Sequence, residues 1–278
     1  MTDPLHIERA GHRTRLKWHR ARRRSGDPVF TGARILEAMR LGASVEVDLV
    51  VHGDHGMAVL HDLDLDRDTT GTGPVRAARA DYLRGLHLRG NDGTVLPDRV
   101  MLLEDLCALL ARQAPHPEAL LQLDFKEDIA ALDPPTIRNF SASIGALGPQ
   151  MVLSGGDLPA VETLARAAPG IAMGYDPCHG GSLDDLRRSG DFAGWIAAAL
   201  AAAPQAGLIY LAKEIVLAGA EAGFDLVAAV HAAGRRVDAY TIQRVTPDSL
   251  ATVERLLALK TDQITTDDPE GLCAAFAP

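Results

Sequence analysis

The sequence predicts an α/β protein, a (β/α)8 TIM barrel with a small insertion after the hairpin of its second strand. Three observations carry that expectation. The chain has 278 residues, 47% of them apolar, which is ample for one sizeable core and close to the usual size of a single α/β barrel. Short apolar runs alternate with helix-period patterns along most of its length. With the hairpin's return arm left out, the runs end near His19, Asp48, Lys126, Ser154, Tyr175, Ala212, Ile242 and Thr266, which makes eight strands. No internal repeat or domain-splitting linker interrupts them, so residues 1–278 read as one domain with an insertion at about 63–97.

Residues 9–24 are strongly basic within a chain of formal charge −9. They read as a solvated, partly disordered arm, with a phosphate-attracting rim as the functional alternative. Within them residues 15–18 form a short strand ending at His19-Arg20. A helix follows at 31–41, stopped by Gly42. Next comes the stretch SVEVDLVVHGDHGMAVLHD, residues 44–62. Val45, Val47 and Leu49 point one way and Glu46 and Asp48 the other, because side chains alternate along a strand. The polar tip Gly53-Asp54-His55-Gly56 and the apolar run 57–60 make this a β-hairpin. A turn centred between Asp54 and His55 would set Asp48 opposite His61.

The polar, turn-rich insertion leads to a helix at 100–113, closed by Pro115 and Pro117. Its Gly-Thr-Gly is no phosphate-cradling loop, since no Gly-Lys-Ser/Thr follows. The strand at 120–126 puts Asp124 and Lys126 on one face. Helices and strands then alternate. Helices are expected at 135–147, 159–168, 183–203 (one or two), 226–233, 249–259 and 269–276. Strands are expected at 151–154, 171–175, 208–212, 236–242 and 263–266.

The acidic balance argues against nucleic acid as a partner. Cys107, Cys178 and Cys273 are scattered without metal-type spacing, which suits reduced thiols and a cytoplasmic location. No apolar run is long enough to span a bilayer, and the first residues lack a signal-peptide core. The oligomeric state is left open.

Chemistry in this architecture sits at the C-terminal strand ends. That rule selects His19, Arg20, Glu46, Asp48, His61, Asp124 and Lys126. Three carboxylates without a cysteine make a hard oxygen site, suited to one divalent cation, Mg²⁺, Ca²⁺ or Mn²⁺, over zinc. Arg20 and Lys126 suit an anionic substrate such as a phosphate ester. Two histidines suit a displacement in which one assists attack and the other protonates the leaving oxygen.

These residues resemble the glycerophosphodiester phosphodiesterases. The family's His-Arg-Gly is matched by His19-Arg20-Ala21, its Glu-x-Asp by Glu46-Val47-Asp48 and its His-Asp by His61-Asp62. Its Leu-Asp-Arg-Thr-Thr-x-Gly-Thr-Gly resembles Leu65-Asp66-Arg67-Asp68-Thr69-Thr70-Gly71-Thr72-Gly73. Its Glu-Ile-Lys strand is Asp124-Phe125-Lys126 here, its Trp-Thr-Val-Asn is Tyr240-Thr241-Ile242-Gln243, and its Ile-Thr-Asp-x-Pro resembles residues 264–269. The resemblance spans nearly the whole chain. It implies a metal-dependent barrel hydrolase that cleaves glycerophosphodiesters to glycerol 3-phosphate and an alcohol. Glu46, Asp48 and Asp124 would hold the cation, His19 and His61 would be the catalytic pair, and Arg20 and Lys126 would contact the phosphate. The insertion would roof the site. The spacing to Glu46 selects His19-Arg20 over His12-Arg13.

The departures have consequences. Asp124 is one methylene shorter than the family's Glu, so the cation must shift or a water must fill in. An Asp-x-Lys strand also occurs in the related sphingomyelinase D-like phospholipases, which keeps a phospholipase D-like activity on a lysophospholipid as the alternative. The insertion's Arg76, Arg79, Arg84 and Arg89 look basic and not greasy, which favours water-soluble diesters. A barrel that only binds a phosphorylated metabolite is a third reading. His52 and His55 read as surface residues, and Ser154-Gly155-Gly156 as a tight turn. Lys213 either faces the site or caps a strand end with Glu214, and Tyr240 either borders the pocket or packs.

Overall fold

A computed structural model describes residues 3–114, 116–178 and 180–277. Pro115, expected to help close a helix, lies outside the described residues. The chain opens with β1 (His6–Arg9) paired antiparallel to β2 (His12–Trp18). It continues through α1 (Gly32–Leu41), β3 (Ser44–Val51) and β4 (Met57–Val59). The insertion holds α2 (Ala80–Gly85), β5 (His87–Arg89) and β6 (Val95–Arg99). Then come α3 (Leu103–Leu110), β7 (Leu120–Phe125), α4 (Pro134–Ile144), β8 (Met151–Gly155), α5 (Leu158–Ala167) and β9 (Ala172–Tyr175). After α6 (Ser182–Ser189) and α7 (Phe192–Ala202) the chain forms β10 (Leu208–Ala212), α8 (Lys213–Glu221) and α9 (Leu226–Ala232). It ends with β11 (Arg236–Ile242), α10 (Pro247–Ala258), β12 (Gln263–Thr266) and α11 (Pro269–Ala275).

Strands β2, β3, β7, β8, β9, β10, β11 and β12 pair in parallel, and β12 returns to β2, closing an eight-stranded barrel. The fold is the (β/α)8 TIM barrel that the pattern of runs predicts. Its helices start on clear local signals. Asp133, Asp157, Asp191, Asp225, Thr246 and Asp268 each accept a backbone N–H in the first turn of the helix that follows, a cap worth about 1 kcal/mol. Four of these helices also carry proline in that turn, where its missing N–H costs nothing. Gly42 ends α1 at φ 88°, a conformation that costs a side chain.

Alternation along the strands divides the core in two. Leu16, Trp18, Val45, Val47, Leu49, Leu121, Leu123 and Ile264 are fully buried in the main apolar cluster with the helices. The intervening positions turn into the barrel and are polar: Lys17, Glu46, Gln122, Ser154, Asp238, Gln263 and Thr265 are all buried. Branched apolar residues usually fill such barrels, so these must satisfy one another. Lys17 Nζ lies 2.7 Å from Asp238 Oδ2 and also donates to Gln122. Thr265 Oγ1 and Gln263 Nε2 donate to Asp238. Asp238→Ala should therefore cost about 3–5 kcal/mol in urea unfolding, because it strands a buried ammonium. A loss under about 1 kcal/mol would show that Lys17 finds other partners.

Several expectations need correction. The basic segment 9–24 is no solvated arm. Ala10 and Gly11, at φ 47° and 75°, make a two-residue turn that pairs β1 with β2. Its arginines are consumed in contacts: Arg15 donates to the carbonyls of Gly42 and Glu118, and Arg23 pairs with Glu37 and Glu270. The hairpin is out by one residue, since Leu49 pairs with Val59 and Val51 with Met57. Its loop is three residues, with His55 at φ 61°, so Asp48 does not face His61 across the ladder. His52 is buried, 2% exposed, while His55 is exposed and paired with Asp133. Helix α8 was missed because it follows β10 without a loop, has no side-chain cap and contains Gly219.

The insertion builds its own small apolar cluster, with Leu65, Val75, Leu83 and Leu88 packed against Val50 and Leu60 of the hairpin. It is not basic on balance: residues 63–97 hold five arginines and five aspartates. Its β5–β6 turn reaches the loop after β2, where Asn91 accepts from Arg22 and donates to the Asp27 carbonyl. No single helix among the described residues is long and apolar enough to cross a membrane.

Candidate active site

A cavity of about 230 Å³ opens at the C-terminal ends of the barrel strands. Its walls include His19, Arg20, Glu46, His61, Asp124 and Lys126, drawn from β3, β7 and the turns after β2 and β4. Register explains the convergence. Asp48 pairs directly with Asp124 on the neighbouring strand, and Glu46 precedes Asp48 by one full repeat on the same inward face. Oxygens of Glu46, Asp48 and Asp124 lie within 4.8 Å of one another.

The carboxylates differ in environment. Glu46 Oε2 accepts the Arg20 backbone N–H at 2.7 Å. Burial pushes its pKa up, but the charges of His19, Lys126 and Lys17 outweigh burial and hold it at about 2. Asp48 is fully buried, and burial together with the Glu46 charge pushes its pKa well up. Its oxygens meet Lys126 Nζ at 2.6 Å and Arg20 Nε at 3.3 Å, yet neither makes a well-directed hydrogen bond. Asp124 is steadied from the barrel floor: Gln122 Nε2 donates to Ser154 Oγ, which donates to Asp124 Oδ1. Three clustered carboxylates, one with undirected lone pairs, fit a hard divalent cation. Asp124's shorter side chain does not prevent the cluster from forming. Lys126 lies half-buried among these acids; burial lowers its pKa, but Asp48, Asp124 and Glu46 raise it further, so it stays charged.

Both histidines are fixed in the same way. His19 Nδ1 lies 2.6 Å from Asp267 Oδ1, which also accepts Arg22 Nη1 at 2.8 Å. His61 Nδ1 lies 2.7 Å from Asp62 Oδ1, which also accepts Arg67 Nη2 at 2.9 Å. A carboxylate at Nδ1 sets the tautomer with Nδ1–H and leaves Nε2 for the cavity. Burial lowers the pKa of His61; the Asp62 hydrogen bond raises it, and the Arg20 and Lys126 charges lower it again. His19 is presented by a tight turn in which Arg20 and Ala21 both sit in the left-handed region, at φ 53° and 57°. That conformation is the reason a glycine would be at home at position 21.

Tyr240 borders the cavity, and its hydroxyl donates to Asp176 Oδ2 at 2.7 Å. Lys213 does not line it; it opens α8 and pairs with Glu214. Sequence reasoning passed over Lys17, Gln122, Asp176, Tyr210 and Thr265, which also line the cavity. Lys17 and Gln122 lie two residues before His19 and Asp124, so the two-residue strand period could have found them. Asp176 directly follows β9, where the strand-end rule applies. The pairing of Asp267 with His19 and Arg22, and of Arg67 with Asp62, carried no signal, because those contacts join segments far apart in sequence or depend on the loops' paths.

No protein-family model and no curated protein matches the chain. Solved structures do. A glycerophosphodiester phosphodiesterase from Agrobacterium tumefaciens is 20% identical, with a TM-score of 0.65 over 93% of this chain and 99% of that one. A phosphodiesterase from Oleispira antarctica, in complex with the product sn-glycerol-3-phosphate, is 19% identical, with a TM-score of 0.67 over 94% and 95%. A glycerophosphodiester phosphodiesterase from Parabacteroides distasonis is 17% identical, with a TM-score of 0.66 over 95% and 96%. At these identities the likeness establishes the fold.

Proposed function

We propose that the chain is a metal-dependent phosphodiesterase that hydrolyses a glycerophosphodiester to glycerol 3-phosphate and an alcohol. The observation that carries the reading is the pair of carboxylate-held histidines in one cavity with the acidic cluster and two cations. The three structural relatives, one described with glycerol 3-phosphate as product, support it. A pocket that only holds a phosphorylated metabolite has no need of two imidazoles oriented at Nδ1 by carboxylates.

Glu46, Asp48 and Asp124 would hold one divalent cation of the Mg²⁺, Ca²⁺ or Mn²⁺ class. Bound there, it would neutralise phosphate charge and leave the phosphorus more open to attack. Arg20 and Lys126 orient the phosphate from the cavity wall. Water attacks phosphorus as the bond to the alcohol oxygen breaks, or a substrate hydroxyl does so to give a cyclic phosphate that water then opens to glycerol 3-phosphate. One imidazole takes the proton of the attacking hydroxyl at Nε2, and the other gives its Nε2 proton to the departing alkoxide.

Turnover of glycerophosphocholine and of bis(4-nitrophenyl) phosphate, with EDTA and with each cation added back, tests this. Metal-dependent turnover supports the reading; its absence on every diester with every cation overturns it. The pH profile gives a further check. Burial, Arg20 and Lys126 keep His61 neutral to a lower pH than free histidine, with its usual pKa of about 6.5. Proton-accepting capacity is therefore retained below that value. With His61 as the base, the acid limb of kcat/KM should fall with an apparent pKa under about 6.5; with His61 as the acid, the alkaline limb should fall below it. A profile with both limbs centred well above it would contradict this account of His61.

A further inference from the structure

The insertion touches the support of both histidines. On the His61 side, Arg67 Nη2 donates to Asp62 Oδ1, and the same guanidinium is gripped by both carboxylate oxygens of Asp68. The Asp68 carbonyl accepts the Arg89 N–H and the His87 carbonyl accepts the Thr70 N–H, which ties this segment to β5. β5 then enters a tight turn, closed by the Gly90 N–H on the Thr94 carbonyl and the Gly93 N–H on the Gly90 carbonyl, with Gly93 at φ 82°. That turn carries Asn91 to the loop after β2. There Asn91 Nδ2 donates to the carbonyls of Gly26 and Asp27 at 3.5 and 3.3 Å, and Oδ1 accepts Arg22 Nη2 at 3.3 Å. Arg22 is the link to His19. Its side chain is 12% exposed, and its Nε is buried without a hydrogen-bond partner among the described residues. The guanidinium is therefore held at its two outer nitrogens, by Asp267 through Nη1 and by Asn91 through Nη2. Arg22 and His19 bear on the same oxygen, Asp267 Oδ1. A shift of the guanidinium turns that carboxylate, and the imidazole bonded to it turns as well.

We propose that the insertion is a strap bracing both histidines, and that Asn91 is its positioning residue on the His19 side, acting through Arg22 and Asp267 on the orientation of the imidazole. His19's part in turnover rests on the phosphodiesterase reading; the brace on its ring does not. Asn91 does not line the cavity, so its effect reaches the site only through other side chains. A residue that merely docks the turn on the barrel would act through the Gly26 and Asp27 carbonyls alone, and that difference can be measured.

Asn91→Ala removes an amide from an exposed turn whose own hydrogen bonds are to the backbone, so the fold should persist. On glycerophosphocholine in Mg²⁺ it should lower kcat by about three- to tenfold, the effect of one hydrogen bond, with KM little changed. Arg22→Ala should lower kcat further, and adding Asn91→Ala to it should cost nothing more. A docking residue keeps its carbonyl partners in the Arg22→Ala background and would cost the same factor again. The ring itself gives the second readout. In ¹⁵N-histidine-labelled protein at pH 8, where a free imidazole is neutral, the His19 signal is the one missing from His19→Ala. It should report the single Nδ1–H tautomer in the wild type and move towards a mixture of tautomers in Asn91→Ala. In an active enzyme, an unchanged kcat, a repeated loss in the Arg22→Ala background or an unmoved His19 signal would overturn the brace and leave the reaction standing. If the His19 signal responds and the wild type hydrolyses no diester, the brace stands and the reaction falls.

Discussion

His61→Ala should lower kcat on a glycerophosphodiester by about 10²–10⁴-fold, the range for removing one positioned proton-transfer group. His19→Ala should do the same, and the double variant should lose far less than the product of the two, because groups acting as a unit are not additive. The symmetry of the two sites is the reason to expect both losses to be large. Each imidazole is tied through Nδ1 to an aspartate that an arginine also holds, Asp267 with Arg22 and Asp62 with Arg67. Neither ring is free to substitute for the other. The leaving group separates their roles. An alkoxide needs a proton to depart, whereas 4-nitrophenolate leaves without one. The histidine whose loss is much milder on bis(4-nitrophenyl) phosphate than on glycerophosphocholine is the general acid, and the one whose loss is equal on both is the base. If both single variants turn over glycerophosphocholine at the wild-type rate, the two-histidine mechanism is wrong.

How far the sequence discloses this site depends on the distance over which each signal acts. The strand ends are legible because apolar runs and helix caps are local: an aspartate or threonine before a proline-containing turn marks where four of the helices start. The carboxylates on β3 and β7 are legible because two-residue alternation fixes their face without reference to anything distant. The hairpin register is not, because it turns on whether the loop holds two residues or three. His55 takes the left-handed conformation that makes it three, a role more often given to glycine or asparagine. The basic segment misleads for another reason. Charge density alone says nothing about partners, and Glu37, Asp267 and Glu270, which absorb Arg22 and Arg23, lie up to some 250 residues away in the chain. The polar barrel floor was hidden in the same way. Lys17, Gln122 and Asp238 each look like an interruption of an apolar strand until the closed sheet brings them together.

Asp48 carries the second large effect, and it appears in stability as well as in activity. In the metal-free protein its carboxyl titrates well above the usual 3.8, from burial and the adjacent Glu46 charge. The folded state therefore keeps a proton that the unfolded chain has released, and this group's contribution to stability falls as pH rises from that value through the raised one. Glu46 acts oppositely. With its pKa held at about 2, its contribution is complete above the ordinary 4.5 and is lost only as pH falls towards 2. Above the ordinary carboxylate range, then, Asp48 is the member of the pair whose contribution still changes. A divalent cation requires the ionised form, so its stabilisation should grow with pH. At a concentration a hundred times its Kd it should contribute about 2.7 kcal/mol, which raises Tm by several degrees. The shift should be larger at pH 8 than at pH 5. Asp48→Asn should abolish turnover and the cation-induced shift together, while its metal-free Tm at pH 8 equals or exceeds that of the metal-free wild type. Loss of activity with the cation shift intact would place the metal elsewhere. A wild-type Tm indifferent to all three cations at every pH would leave Glu46, Asp48 and Asp124 as a buried acidic cluster neutralised by Lys126 and Arg20 alone.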